Sequence, residues 1–125
     1  TDKEGNIISN GNNQVLKQKD PTAHAEIVAI RNACKKLNKY DLSNYVLYTS
    51  CEPCPMCLSA IIWANIKEVY FGCTKEDAGN IGFRDDAIYN YLKGKNKDLI
   101  ELKQLDREEC IKTFGEYQKQ NGIIY

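Results

Sequence analysis

Two hydrophobic patterns alternate along this chain, and together they lay out its middle. Ile27, Ile30, Cys34 and Leu37, with Val28, recur at helical spacing, while Arg31, Lys35 and Lys36 face elsewhere. Asp20-Pro21-Thr22 supplies a helix start before this stripe, and the helix ends near Asn38-Lys39. Tyr45-Val46-Leu47-Tyr48-Thr49 is rich in aromatic and β-branched residues and predicts a buried strand. Pro55 suits the first position of a following helix. In that helix Met56, Leu58, Ile61, Ile62 and Trp63 are apolar nearly all round, which predicts deep burial. Lys67 to Gly72 predicts another strand. Strand, helix and strand in that order predict a parallel pair with a right-handed crossover, and ligands gather at the carboxyl ends of such strands.

The flanks are patterned more weakly. Asp2 to Asn6 reads as a hairpin turn and Ile7-Ile8-Ser9 as its returning strand, whose partner would precede Thr1. Gly11-Asn12-Asn13 reads as a polar loop, and Gln14 to Lys19 as loop or short strand. Beyond Gly72, Thr74 to Arg84 reads as a Gly-containing loop, Asp85 to Leu92 as a helix, and Lys93 to Lys97 as a solvated basic turn. Leu99-Ile100-Glu101-Leu102 reads as a strand, and Glu108 to Gln120 as a helix with Cys110, Ile111 and Phe114 inward. The apolar tail Gly122 to Tyr125 is expected to dock on something. No repeat, low-complexity segment or boundary interrupts residues 1–125, which read as one domain able to bury a core.

Charge and cysteine usage narrow the function. Seventeen Lys and Arg balance seventeen Asp and Glu, which argues against a strongly basic nucleic-acid surface. No apolar run approaches membrane-spanning length and no signal peptide is visible. Of six cysteines, three crowd into Cys51 to Cys57, while Cys34, Cys73 and Cys110 lie in apolar-periodic segments. Free thiols in a reducing cytoplasm fit this distribution better than three disulfides.

The chemistry concentrates in Thr22-Ala23-His24-Ala25-Glu26 and Ser50-Cys51-Glu52-Pro53-Cys54-Pro55-Met56-Cys57. H-x-E followed by P-C-x-x-C is the pattern of zinc-dependent nucleobase deaminases. Catalytic zinc takes three protein ligands and leaves its fourth tetrahedral position for water. His24, Cys54 and Cys57 are the candidate ligands. Opening a helix, Cys54 and Cys57 would project from its first turn toward one point, where the helix N-terminus favours thiolate. Glu26, two residues after His24, can reach the water without ligating the metal and is the candidate proton shuttle. C-x-x-C is also the spacing of a redox pair, and with Cys51 as a fourth ligand it would make a structural zinc site. The second alternative crowds three thiols on one tetrahedron and leaves His24, the only histidine, without a task.

The chain resembles the bacterial guanine deaminases of the cytidine-deaminase-like superfamily. The resemblance lies in D-P-T-A-H-A-E-I-V-A-I-R, T-S-C-E-P-C-P-M-C-L-S-A-I-I-W-A and G-F-R-D-D-A-I-Y. It implies an α/β fold of three layers, with a central five-stranded mixed sheet flanked by helices, whose N-terminal helix and first strand precede Thr1. It implies one zinc ion on His24, Cys54 and Cys57, with Glu26 moving protons and guanine hydrolysed to xanthine and ammonia. Asn13 matches the family's base-recognising asparagine, Ala25 a main-chain contact, and Asp85 the catalytic aspartate of G-F-x-D, which contacts the guanine amino group or assists proton transfer, with Asp86 one residue away. Phe83 and Trp63 match aromatic positions near the pocket. The resemblance also implies a homodimer with swapped C-terminal tails, in which Tyr125 closes the partner's pocket. A tRNA-specific adenosine deaminase or a cytosine deaminase would share the zinc motif, because substrate choice lies in the pocket.

Overall fold

The structure, a computed structural model, describes residues 1–125. A single turn, α1 (Val15–Gln18), precedes helix α2 (Ala25–Leu37), strand β1 (Val46–Cys51), helix α3 (Pro55–Trp63) and strand β2 (Glu68–Cys73). Helices α4 (Lys75–Asn80) and α5 (Asp85–Leu92), a 3-10 turn at Lys97–Leu99 and helix α6 (Arg107–Lys119) follow. β1 and β2 pair in parallel, Val46 opposite Glu68 and Cys51 opposite Cys73, as the strand–helix–strand order predicts. Helix α2 stops where Asn38 turns left-handed (φ 53°) and donates its N–H to the Cys34 carbonyl. A short polar side chain tolerates that conformation better than most.

The core lies between α2, α3 and the sheet. Leu42 and Ile61 are each 2% exposed, and Ala33, Ala64 and Ile66 complete the buried cluster. Ile30, Cys34 and Leu37 of the α2 stripe pack against it, as do Leu47 of β1 and Val69 of β2. Each fully buried Leu or Ile side chain contributes about 1.5–3 kcal/mol. A smaller cluster of Ile27, Cys54 and Cys57 adjoins the first turns of α2 and α3, so the two thiols are part of the packing.

Several expectations are corrected. The sheet has two strands, not five. Ile7-Ile8-Ser9 forms no strand: only Thr1 bridges to Val46, by two hydrogen bonds of 2.8 and 2.9 Å. Ile7 to Gly11 instead face β1 across a cavity of about 520 Å³, too far apart to pair. Leu99 to Leu102 also has no strand beside it: Leu99 ends the 3-10 turn, and Ile100 to Leu102 stay irregular and exposed. Gln14 to Lys19 contains the turn α1, and Thr74 to Arg84 contains α4. The cause of α4 is a capping box: the Thr74 hydroxyl accepts from the Asp77 N–H, and the Asp77 carboxylate accepts from the Thr74 N–H.

Burial is also less than the apolar pattern predicts. On α3, Leu58, Ile62 and Trp63 stay exposed, with only the Tyr125 ring lying against Trp63. On α6, Cys110, Ile111 and Phe114 face no core, and Phe114 is 73% exposed. Cys73 is exposed as well, and all six cysteines are free thiols.

Candidate active site

Two helices begin at one point, and that convergence builds the site. His24 is the N-cap of α2 and Cys54 the N-cap of α3, both in extended conformation and neither using its side chain to cap. Their side chains are therefore free to meet, and His24 Nδ1 lies 3.5 Å from Cys54 Sγ. Pro55 holds the first position of α3, which places Cys57 one turn on from Cys54, on the same side. Glu26 sits in the first turn of α2. Both helix N-termini thus direct partial positive charge at two thiols and a carboxylate.

The ligand atoms of His24, Cys54 and Cys57 lie within 4.8 Å of one another. Cys51 is outside this group, with its Sγ 3.8 Å from the Thr74 carbonyl oxygen, so no fourth thiol completes a structural tetrahedron. One imidazole and two buried thiols in this compass match zinc with an open fourth position. The thiols are already unequal. The hydrogen bond from Cys57, then backbone N–H groups and His24, hold the Cys54 thiol down to about 6. The same hydrogen bond, burial and the nearby Glu26 push Cys57 up.

Glu26 is 9% exposed, yet both its oxygens have partners. Thr49 donates its hydroxyl to Oε1 at 3.0 Å, and the Cys57 thiol donates to Oε2 at 3.5 Å. Glu26 and Thr49 also line the 520 Å³ cavity between β1 and residues 7–11, but His24, Cys54 and Cys57 do not, so that cavity lies behind the ligand group rather than over it.

The remaining predicted positions are distributed as follows. Ala25 opens α2, and its carbonyl is approached so closely by Gly11 that a Cβ there would stand 2.6 Å away. The loop of Asn13 is thereby pressed onto the helix start. Asn13 Oδ1 accepts from the Val15 N–H at 3.0 Å, and the residue is exposed. Asp85 is the first residue of α5 and acts electrostatically on Cys51, whereas an Asp86 oxygen lies 3.7 Å from where a Cβ on Gly79 would be. Burial first, then Cys73, Asp85 and Glu26, push the Cys51 thiol up. Phe83 is exposed in the turn before α5. Trp63 ends α3, roughly 13 Å along the axis from the Cys54 cap, and the chain does not bring it to its own metal ligands. The Tyr125 ring lies 5.8 Å from the Trp63 ring and 6.2 Å from that of Tyr40, also away from those ligands.

Three contributors are not evident from motif reading. Thr49 is one, signalled only by a lone hydroxyl on the helix-facing side of an apolar strand. Glu52 Oε2 accepts from the Lys75 N–H at 2.9 Å, tying the thiol loop to α4. Tyr89 donates its hydroxyl to the Pro53 carbonyl at 3.3 Å, tying the same loop to α5.

Comparison with known proteins agrees with this geometry. Residues 1–73 match the cytidine and deoxycytidylate deaminase zinc-binding region. The guanine deaminase of Bacillus subtilis is 55% identical over 113 residues, 90% of this chain and 72% of that protein. The tRNA-specific adenosine deaminase of Haemophilus influenzae is 47% identical over 98% of this chain and 72% of its own length. The crystal structure of the Bacillus subtilis guanine deaminase superposes with a TM-score of 0.87 and 44% identity, covering 94% of this chain and 75% of that one.

Proposed function

The chain belongs to the cytidine and deoxycytidylate deaminase zinc-binding family, and on that premise we propose that it hydrolyses guanine to xanthine and ammonia in the cytoplasm. The observation that carries the reading is Glu26 held beside a three-ligand His24–Cys54–Cys57 group. The 55% identity to a guanine deaminase supports guanine as the base.

Zinc on His24, Cys54 and Cys57 would supply Lewis acidity and bring the pKa of water toward neutrality. Glu26 takes one proton from the attacking water, whose oxygen adds to C2 of the ring. Glu26 gives that proton to the ring nitrogen, then takes the second from the hydroxyl now on C2 and passes it to the departing amine, which leaves as ammonia as the C2 carbonyl forms. Asn13, with its Oδ1 engaged by Val15, has its Nδ2 group to offer the base. The main chain of Ala25, the carboxylate of Asp85 and the ring of Phe83 supply the remaining contacts.

The active unit is a homodimer. Leu58 and Ile62 on α3, and Ile111 and Phe114 on α6, form bare apolar faces that a second copy would cover. Tyr125 and Trp63 pack together away from their own ligands, which suits presentation of that pair to the partner's pocket.

The test is ammonia release by the zinc-loaded protein from guanine, cytosine, adenine, guanosine and a tRNA pool, with Glu26→Ala as the control. Release from guanine alone is expected, with loss of turnover and retention of zinc in the variant. Release from tRNA that falls steeply with salt would move the protein to the adenosine deaminases of tRNA. Wild-type turnover in Glu26→Ala would remove the proton shuttle.

A further inference from the structure

Side chains alternate across a strand, so Leu47, Thr49 and Cys51 share one face of β1. Leu47 packs on the core beside α2, and Thr49, two residues further, meets Glu26. The two groups come from elements 23 residues apart, and their contact is the only side-chain hydrogen bond between β1 and α2. Glu26 Oε1 points to Thr49, while Oε2 points to Cys57 and hence to the metal ligands.

From this we infer that Thr49 is a positioning residue, which anchors Glu26 by Oε1 and so turns Oε2 toward the metal ligands. The inference rests on the proton-shuttle role of Glu26 given above. A carboxylate accepts from Thr49 at Oε1. The Thr49 hydroxyl, donating across 3.0 Å, holds the carboxylate in one orientation with Oε2 on the Cys57 side before any substrate arrives, which is preorganisation. With zinc held by His24, Cys54 and Cys57, Cys57 would be a thiolate with no hydrogen to donate, which would leave Oε2 free for the water and the base.

Thr49→Val keeps the shape and removes the hydroxyl, and Thr49→Ser keeps the hydroxyl and removes the methyl. In the zinc-loaded dimer, Thr49→Val should lower kcat about tenfold to a hundredfold, the range for losing a hydrogen bond to a charged group, with KM and zinc content little changed. Thr49→Ser should restore kcat to near wild type. A crystal structure of zinc-loaded Thr49→Val should show the Glu26 carboxylate rotated away from its wild-type position, a readout independent of activity. Equal losses in both variants would assign the effect to the methyl group and overturn the inference, as would an unmoved Glu26 or unchanged kcat in Thr49→Val. If the wild type releases ammonia from no base, the deaminase reading fails, while the position of Glu26 in the variant still decides whether Thr49 anchors it.

Discussion

Residues 23–66 and residues 74–125 contain helices of similar length held in different ways. All 13 buried residues lie between Ala23 and Ile66. Helices α2 and α3 are fixed by packing, and their N-termini meet because Leu42, Ile61 and Ala64 leave them one way to sit. Helices α4, α5 and α6 bury no residue: the Thr74–Asp77 box supports α4 and the Lys112–Glu109 pair α6, and single hydrogen bonds from Lys75 to Glu52 and from Tyr89 to Pro53 tie α4 and α5 to the thiol loop. Helices of this length without tertiary packing are marginal in water. One region therefore holds the His24–Cys54–Cys57 group and Glu26 within its packing, and the other presents apolar side chains that this chain leaves exposed.

The sharpest break of this comparison is Cys57→Ser. Cys57 is fully buried and is one of three ligands, so zinc content should fall from about one per chain to nearly none, with turnover reduced more than about a thousandfold. Amide exchange should quicken in the first turns of α2 and α3 and stay as it was in α6. Zinc uptake by the metal-free wild type sharpens the same point. Cys54, held down to about 6, is mostly thiolate at pH 7.5, while Cys57, pushed up, keeps its proton. Calorimetry in buffers of different ionisation heat should thus find about one thiol proton released per zinc, rather than two.

Substitution in the two regions should divide stability from assembly. Ile61→Ala removes side-chain volume from the centre of the core and should cost about 2–5 kcal/mol in denaturant unfolding. Phe114→Glu touches no core. It should leave the unfolding of the α2–α3 region intact yet weaken the dimer by about 2 kcal/mol, roughly thirtyfold, in sedimentation velocity. A Phe114→Glu protein that unfolds like Ile61→Ala would show that α6 belongs to the monomer core.

What could be read without coordinates follows the same division. His24, Glu26, Cys54 and Cys57 were legible because short spacings at helix starts dictate geometry by themselves. The order β1, α3, β2 was legible because the hydrophobic period changes at each boundary. The exposed side of α3 was not, since Leu58, Ile62 and Trp63 state that a face wants cover without stating which chain provides it. The apolar run Leu99 to Leu102 reads as a strand, but a strand also needs a neighbour, and none lies beside it. Thr49 was hidden for a related reason: its partner is 23 residues away, and no local rule pairs a strand hydroxyl with a helix carboxylate.

Helix α4 is the smallest test of the comparison, because apart from the hydrogen bond of Lys75 to Glu52 its support is a motif read within four residues. Gly79 and Gly82 mask it as a loop, while Thr74 and Asp77 satisfy each other's backbone at 2.8 and 3.2 Å. Thr74→Ala should cost about 1 kcal/mol, the usual effect of losing an N-cap. Because α4 buries nothing, that loss should appear as faster amide exchange across Lys75–Asn80, with zinc content and the unfolding of α2 and α3 unmoved. Glu52 accepts from the Lys75 N–H, so the thiol loop would register the change only if α4 braces it. A fall in zinc content in Thr74→Ala would therefore show that the locally held region supports the metal site after all, and would move the boundary between the two regions past α4.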